Sequence, residues 1–230
     1  NKNYLFKKLD LSHSTNLNKL ISDFKPNLVF HLAAESHVDN SINRPDNFIY
    51  SNIIGTYNML NSCLYNFENN KKCKFIHVST DEVFGSLKNK KLKSFVENSK
   101  YAPNSPYSAS KASSDLLVRA WNKTYGLPII ITNCVNNYGP WQFPEKLIPV
   151  VISSCLQNKP IPVYGNGKNI REWIHVNDHV DYLIKLSKKG KIGESYNIGS
   201  GYEIDNITLI RKICNYFDKK FPKKNSYNKL

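Results

Sequence analysis

Apolar and polar positions alternate along the first part of the chain between short apolar runs and longer segments of helical periodicity. The apolar runs cover 28–32, 75–79 and 128–132. Runs of this length are typical of central strands in a parallel sheet that is covered on both faces. Between them, apolar positions at helical spacing predict helices over 17–24 and 48–67, and Ser105 followed by Pro106 predicts the start of a third. This alternation predicts an α/β fold built on a doubly wound parallel sheet.

The pattern changes after Tyr138, where prolines become frequent and the elements become shorter. We therefore expect two domains: a partial Rossmann-like domain over 1–138, and a small mixed lobe over 139–230 with some segments that return to the sheet. Ligands of open α/β sheets bind beyond the carboxyl ends of the strands. A lobe beside those strand ends is expected to bind a substrate.

Composition narrows the classes of function. The formal net charge is +14, but the lysines fall in short, scattered runs among Asn, Gly and Ser. No basic helix with interleaved aromatic residues accompanies them, so we expect no nucleic-acid partner. The five cysteines form no CxxC pair, which favours a reducing cytoplasm over a disulfide or zinc framework. No apolar stretch reaches the roughly 18 residues of a membrane span.

Tyr107 and Lys111 stand four residues apart in the third predicted helix, so they lie on one face, one turn apart. A lysine ammonium near a phenol favours the phenolate and lowers the pKa of the phenol. Such a phenol can accept a proton from a substrate hydroxyl while hydride leaves the same carbon. Taken alone, however, this spacing favours a chance pair on a helix surface.

The segment 79–85 (STDEVFG) follows the second predicted strand. Asp81 and Glu82 can act as an acid and a base if their surroundings separate their pKa values. Thr80 alone is better explained as a helix cap. The whole segment beside the Tyr/Lys pair favours a catalytic function.

Small residues follow the first predicted strand in 31–37 (HLAAESH). Ala33 and Ala34 would let a flat cofactor approach the backbone, although helix–sheet packing explains them equally well. His175 and His179 are four residues apart, but the segment between them lacks the Glu of metalloprotease motifs. We expect the Asp-His pair of this segment, Asp178 and His179, to cap or orient a helix, and we expect no metal site.

Several long motifs follow one another in a familiar order: HLAAESHVD, STDEVFG, YAPNSPYSASK, NNYGPWQFPEKLIP, PVYGNGKNIREWIHVNDH and YNIG. In order and spacing they resemble the bacterial dTDP-glucose 4,6-dehydratases of the extended short-chain dehydrogenase/reductase family. The resemblance extends over essentially the entire chain. It implies an NAD-dependent lyase of deoxysugar biosynthesis that acts on a nucleotide sugar and forms a homodimer through helices like those at 48–67 and 106–124.

The resemblance implies a role for each catalytic residue. Tyr107, assisted by Lys111, would remove the proton of the sugar 4-hydroxyl as hydride passes to NAD, and Thr80 would hydrogen-bond the same oxygen. Glu82 would remove the C5 proton, and Asp81 would protonate the departing 6-hydroxyl. The product would be a 4-keto-6-deoxy sugar nucleotide.

Other motif positions imply binding roles. Besides Tyr107 and Lys111, the implied cofactor contacts are Asp10, Leu11, Leu32, Ala33, Ala34, Ser51 and Asn137. The implied substrate contacts are Ser36, Thr80, Asn136, Lys146, Leu147, Pro162, Val163, Tyr164, Arg171 and Asn206. A guanidinium such as that of Arg171 can hold a diphosphate bidentately; the alternative is a surface ion pair with Glu172 or Asp178.

The sequence departs from the family at two places. Phe84 stands where the family usually has Tyr, which keeps the ring and loses the hydroxyl. No Gly-rich turn of the kind that binds a pyrophosphate precedes Leu28. We therefore expect the sheet to lack its first βαβ unit, with 4–9 as the family's third strand, and a chain that stops short of the family's usual finish after Lys224. Residues 1–230 alone are expected to hold NAD weakly, so the implied activity concerns the full-length protein.

Other functions remain open at this point. A UDP-glucose 4,6-dehydratase shares nearly all these motifs, and a nucleotide-sugar 4-epimerase or decarboxylase shares the Tyr/Lys pair and the alanines. Epimerases and decarboxylases generally lack the Asp-Glu pair after Thr. A truncated, non-catalytic remnant that binds sugar nucleotides is the alternative of another class.

Overall fold

The structure, a computed structural model, describes residues 3–86, 94–223 and 225–229. Its helices are α1 (Ser14–Phe24), α2 (Val38–Asn43), α3 (Pro45–Phe48), α4 (Gly55–Asn70), α5 (Pro106–Tyr125), α6 (Leu147–Gln157), α7 (Val176–Lys189) and α8 (Asn206–Lys220). Its strands are β1 (Leu28–His31), β2 (Lys74–Thr80), β3 (Ile129–Cys134), β4 (Asn136–Tyr138), β5 (Ile170–His175), β6 (Ser195–Ile198) and β7 (Glu203–Asp205). A π-helical segment covers Ile49–Ile54, and 3₁₀ turns cover Asp81–Phe84 and Tyr227–Lys229. The three predicted strands and the α/β class are confirmed.

The described residues divide into two compact units. The first comprises the part up to Cys134 together with Tyr182–Ile198, and the second comprises Val135–Asp181 together with the part from Gly199. The first unit contains a four-stranded parallel sheet in the order β1-β2-β3-β6.

The expectation of a strand over 4–9 is wrong. This segment has no regular secondary structure, and Tyr4, Leu5 and Phe6 are exposed. A strand forms only where its backbone groups pair with a neighbour, and β1 pairs only with β2 among the described residues.

The core of the first unit lies between the sheet and helices α1, α4 and α5. Leu60, Phe75, Val118 and Ile129 are completely buried in it. Burial of each such side chain stabilises the fold by roughly 1.5–3 kcal/mol. This packing fixes α5 against β2 and β3, which is the contact that positions the polar residues of α5.

Helix α5 begins where the sequence predicts. Ser105 caps it in a reciprocal capping box with Ser108, and Pro106 occupies the first turn. At the other end Gly126 adopts a left-handed conformation with φ 71°. The cap sets the first turn, so it also fixes Tyr107.

The single helix predicted over 48–67 is interrupted. It consists of the end of α3, the π-helical segment Ile49–Ile54 and most of α4. Buried Asn52 lies in this segment and bonds groups outside its own helix. The spacing of apolar residues cannot reveal such a bulge, because the bulge adds one residue to a turn and changes the apolar stripe little. Bulges of this π-helical kind are frequent at functional sites.

The second unit is the expected mixed lobe. Its three-stranded sheet has the order β4-β5-β7, with β4 and β5 parallel and β5 and β7 antiparallel. Helices α6 and α8 share an apolar cluster that includes Val151, Ile210 and Phe217. None of the helices within the described ranges is long and apolar enough to cross a membrane.

Candidate active site

The carboxyl end of β2 carries the predicted acid and base residues in a tight turn. Thr80 caps the 3₁₀ turn Asp81–Phe84, because its Oγ1 accepts a hydrogen bond from the backbone N–H of Glu82 at 3.3 Å. The same hydroxyl donates to Oδ1 of Asp81 at 3.3 Å. The turn thus places the hydroxyl of Thr80 beside the carboxylate of Asp81 and the backbone of Glu82, as a helix cap does, and the catalytic role of Thr80 stays a prediction.

Close packing holds this turn in place. Phe84 is buried and lies against Phe95 and Tyr101, with ring centroids 5.2 Å and 5.4 Å away. Gly85 follows with φ 80°, and its Cα lies against the carbonyl of Ala102. Phe84 therefore acts as an apolar anchor, for which the missing hydroxyl is no loss.

The phenol of Tyr107 meets this turn. Its hydroxyl hydrogen-bonds the side chain of Thr80, and the charges of Glu82 and Asp81 act on it. Tyr107 is thereby brought together with all three residues of the Thr-Asp-Glu segment. The structure thus brings these four side chains together, and their catalytic roles stay predictions.

The expected lowering of the pKa of Tyr107 is wrong for this state of the protein. Burial raises the pKa of Tyr107, the carboxylate of Glu82 raises it further, and only the hydrogen bond from Thr80 acts against them. Nζ of Lys111 donates a hydrogen bond to the carbonyl oxygen of Val78 at 2.8 Å. The phenol is therefore protonated at neutral pH in this structure.

Lys111 is almost fully buried, with 4% of its surface exposed. Burial lowers the pKa of Lys111, whereas Asp115 opposes that shift. An ammonium that is buried this deeply needs compensating groups nearby.

A buried polar network that the sequence analysis missed surrounds Asp115. Oδ2 of Asp115 accepts hydrogen bonds from Ser79 at 2.8 Å, Tyr101 at 2.9 Å and Asn133 at 3.2 Å. Its Oδ1 lies 3.1 Å from Nε2 of His77. The only signal in the sequence was the continuation of the Tyr/Lys spacing, since Asp115 stands four residues beyond Lys111.

The segment after β1 is open, as expected for a cofactor-binding strand end. Leu32, Ala33 and Ser36 are exposed, and Ala34 is half-buried. Asn52 ties this segment to α5, because its side chain bonds both backbone groups of Glu35 and the hydroxyl of Ser110 at 2.9 Å. Ser51, the neighbour of Asn52, is half-buried.

Asp10 and Leu11 form a separate exposed corner of the first unit. Oδ1 of Asp10 accepts two hydrogen bonds from Ser12, which lower the pKa of Asp10. The carbonyl of Leu11 accepts a hydrogen bond from Asn58 on α4 at 2.8 Å. The corner is rigid and presents a carboxylate to solvent.

Four predicted binding residues lie around β4 and the start of α6 in the second unit. Asn136 and Asn137 are half-buried in β4, Lys146 is half-buried before α6, and Leu147 packs against the apolar cluster of α6 and α8. Between them Trp141 is fully exposed with φ 66°, an unusual conformation for a bulky residue. Strained, exposed conformations of this kind are frequent in ligand-binding loops.

The remaining predicted substrate contacts lie at another part of the second unit. Pro162, Val163 and Tyr164 are exposed, and Val163 approaches the start of α8, since both Val163 and Ile207 contact Gly167. Arg171 pairs with Ile204 across β5 and β7, and Asn206 begins α8 with a buried Oδ1 that accepts no hydrogen bond among the described groups.

Arg171 lies in β5, and His175 ends that strand. The guanidinium of Arg171 is exposed and donates to its neighbour's carbonyl at 3.0 Å, whereas Glu172, its expected alternative partner, accepts from the N–H of Gly201. His175 accepts a hydrogen bond from the backbone N–H of Asn177 at the start of α7, at 3.3 Å, whereas the role expected of Asp178 and His179 stays a prediction. The described ranges contain no cluster of His, Cys, Asp and Glu that could hold a metal ion.

A parallel sheet with carboxylate, hydroxyl and phenol side chains at a strand end is typical of doubly wound α/β proteins, which bind ligands beyond the carboxyl ends of their strands. The comparison with known families is specific. The chain belongs to the GDP-mannose 4,6 dehydratase family, whose model matches residues 1–229.

Individual relatives are also similar. The dTDP-glucose 4,6-dehydratase of Shigella flexneri is 48% identical over 236 residues, which cover 97% of this chain and 65% of that protein. A crystal structure of a dTDP-glucose 4,6-dehydratase from Streptomyces venezuelae with NAD bound is 40% identical, with a TM-score of 0.83 over 90% of this chain and 62% of that one. For the enzyme from Bacillus anthracis in complex with NAD, the identity is 40% and the TM-score 0.81, over 95% and 66% of the two chains. The chain thus spans about 65% of the length of the relatives it matches.

Proposed function

We propose that the whole protein containing these residues is a lyase that dehydrates dTDP-glucose to dTDP-4-keto-6-deoxyglucose through transient hydride transfer to bound NAD. The observation that carries the proposal is the meeting of Thr80, Asp81, Glu82 and Tyr107 at the carboxyl end of β2. The ammonium of Lys111 bonds the carbonyl of Val78 in the same strand. Two carboxylates beside a phenol supply the separate acid and base that a dehydration needs.

Each residue has one task in this proposal. Tyr107 takes the proton of the sugar 4-hydroxyl, and Thr80 bonds the same oxygen. Once C4 is a ketone, the C5 proton is acidic and Glu82 removes it, while Asp81 protonates the leaving 6-hydroxyl. Lys111 supplies a buried positive charge one helical turn from Tyr107.

The residues present fit NAD at two places in the first unit. The exposed carboxylate of Asp10 can accept hydrogen bonds from an adenosine, and the small, open Ala33 and Ala34 leave room for a flat ring near the strand end. When bound, NAD supplies a hydride acceptor and a positively charged ring. Because nearby positive charge lowers the pKa of a phenol, cofactor binding is expected to reverse the raised pKa of Tyr107.

The second unit supplies the proposed nucleotide contacts. Arg171 is exposed and forms no bidentate ion pair among the described residues, so its fork is available to a diphosphate. The buried Oδ1 of Asn206 is an acceptor that a base or ribose donor would satisfy. Asn136, Lys146, Leu147 and the segment 162–164 complete the proposed substrate contacts.

Product analysis tests the proposal. The whole protein is incubated with NAD and either dTDP-glucose or UDP-glucose, and the products are followed by mass and by absorbance in alkali. We expect loss of water and an alkali-absorbing keto sugar from dTDP-glucose. An epimer of unchanged mass would establish a 4-epimerase instead, carbon dioxide release from an acidic sugar would establish a decarboxylase, and binding without turnover would establish a non-catalytic protein.

Two charge-neutral variants separate the roles of the carboxylates. In deuterium oxide, Glu82→Gln is expected to form the 4-keto sugar without exchanging the C5 proton. Asp81→Asn is expected to exchange that proton while water elimination slows at least about a hundredfold. Equal effects of both variants on exchange and elimination would contradict separate roles.

We also propose a cytoplasmic homodimer. The outer faces of α4 and α5 expose Tyr57, Leu116 and Tyr125, which a partner copy would cover. Light scattering of the whole protein should show a dimer, and Leu116→Glu should weaken it while Lys219→Glu, in the last turn of α8, should not. A monomer at micromolar concentration would overturn the dimer, and recovery in the membrane fraction after cell lysis would overturn the location.

A further inference from the structure

Lys111 and Asp115 share an unusual environment. Of all Asp, Glu, Lys and Arg residues in the described ranges, they are the two that are buried, with 4% and 1% of their surfaces exposed. They lie on the same face of α5, one turn apart. A buried charge persists only if an opposite charge or strong hydrogen bonds compensate it.

The surroundings of Asp115 suit a carboxylate. Three donors converge on its Oδ2, from Ser79, Tyr101 and Asn133. A carboxylate accepts several such bonds, whereas a neutral acid would place its own proton among them. Burial raises the pKa of Tyr101, and the charge of Asp115 raises it further, so this phenol remains a donor.

The other groups that face Lys111 provide no negative charge of this kind. They are His31 on β1, His77 on β2 and Cys134 on β3. Burial lowers the pKa of both histidines and the ammonium of Lys111 lowers it further, whereas Asp115, 3.1 Å from Nε2 of His77, acts in the opposite direction on His77. An imidazole ring is neutral or positive, so neither histidine supplies a negative charge. Asp115 therefore supplies the negative charge in these surroundings, and it lies one helical turn from Lys111.

We propose that Asp115 is a positioning residue for the Tyr107–Lys111 pair: its carboxylate, held one helical turn beyond Lys111, balances the buried ammonium and keeps that lysine protonated. Ser79 extends the arrangement to the acid and base residues, because it bonds Asp115 and directly precedes Thr80. The proposal deepens the proposed function and rests on it for the role of Lys111, but its first test needs no catalysis.

The direct test is the titration of Lys111 itself. The protein is labelled with ¹³C-lysine, the signal of Lys111 is assigned by its loss in Lys111→Met, and its titration is followed by NMR. Asp115→Asn keeps the size and an acceptor oxygen but removes the charge. We expect the midpoint of Lys111 to move at least about one pH unit lower, as loss of a close opposite charge requires. A midpoint that stays within about 0.3 unit of the unsubstituted protein would overturn the proposal.

Tyr101→Phe is the matched control. It removes one hydrogen bond to the same oxygen of Asp115 but leaves the carboxylate charged. We expect it to move the Lys111 midpoint by less than about half a unit. A shift as large as that of Asp115→Asn would show that the hydrogen-bond network, and not the charge, acts on Lys111, and would overturn the proposal.

Coupling between the two buried charges gives a second measurement if Asp115→Asn folds poorly. In the Lys111→Met background no ammonium needs balancing, so Asp115→Asn should cost less stability there, and the double variant should fold even where the single one does not. Equal costs in both backgrounds would contradict a charge-balancing role.

Activity distinguishes this proposal from the proposed function. In an active whole protein, Asp115→Asn should move the high-pH fall of kcat/KM to lower pH by the same amount as the NMR midpoint, because Lys111 then loses its proton earlier. A dehydratase whose high-pH limb does not move would refute the role of Asp115 and leave the function standing. A shifted NMR midpoint in a protein without dehydratase activity would support the role of Asp115 and refute the proposed function.

Discussion

A methyl group added at Gly85 tests the packing that holds the acid and base residues. Gly85 has φ 80° and ψ −136°, a region that is essentially restricted to glycine, so any side chain there costs about 1–3 kcal/mol. A Cβ would also lie 2.1 Å from the carbonyl oxygen of Ala102. That carbonyl cannot move freely, because the N–H of Ala102 bonds the carbonyl of Val83 at 2.9 Å. Relief of the overlap should cost a further 1–3 kcal/mol or so.

We therefore expect Gly85→Ala to lower the free energy of unfolding by about 4 kcal/mol. Gly126→Ala is the matched control, because Gly126 has a similar φ of 71° but nothing within 4 Å of an added Cβ. The control should lose only about 1–2 kcal/mol. Urea unfolding followed by circular dichroism measures both losses.

The catalytic consequence is separable from the loss of stability. In the folded fraction of Gly85→Ala, the displaced turn moves Asp81 and Glu82, so turnover should fall at least about a hundredfold. In Gly126→Ala it should stay within about twofold of the unsubstituted protein. Equal unfolding losses for the two glycines would refute the packing of the 79–85 turn against Ala102.

Three further changes test other parts of the first unit. Burial holds the pKa of His31 well below its ordinary 6.5, so below pH 6.5 the unfolded chain binds a proton that the folded protein does not, and the free energy of unfolding should fall as the pH drops from about 6.5 to 5. In urea titrations, His31→Gln should reduce this dependence of stability on pH. An unchanged dependence would count against a buried neutral ring. Ser105→Ala should cost about 1 kcal/mol through loss of the helix cap, whereas Ser113→Ala in the middle of α5 should cost less than about 0.5 kcal/mol. Leu60→Ala should cost about 2–5 kcal/mol, and a loss below about 1 kcal/mol would place Leu60 outside the core.

Strands and the main helices could be predicted because their signals are local. The all-apolar run around Ile129–Ile131 needs both sheet faces covered, and the Ser105–Pro106 start carries its own cap. The π-helical segment 49–54 could not be predicted, because it depends on where buried Asn52 finds partners in Glu35 and Ser110. Those partners come from other elements of the fold.

The residues of the candidate site also divide into those that carry a local sequence signal and those that do not. Tyr107 and Lys111 follow from one helical spacing, and the Thr-Asp-Glu segment follows from its place after an apolar strand. Asp115 was missed because its donors come from β2, β3 and the segment before α5, which only the folded chain brings together. The raised pKa of Tyr107 was missed for the same reason, since burial and the charge of Glu82, which raise it, arise only in the folded chain.

Helix α5 carries the phenol, the ammonium and the carboxylate at positions 107, 111 and 115, so their alignment depends on the helical pitch alone. A single inserted residue between the first and the last would rotate everything beyond it by about 100° and move part of the row to another face. An insertion at Gly126, where the chain leaves the helix with open space around it, would disturb none of them. Insertions and deletions in descendants or engineered versions of this chain should therefore occur at the turn around Gly126. They should be absent from positions 107–115.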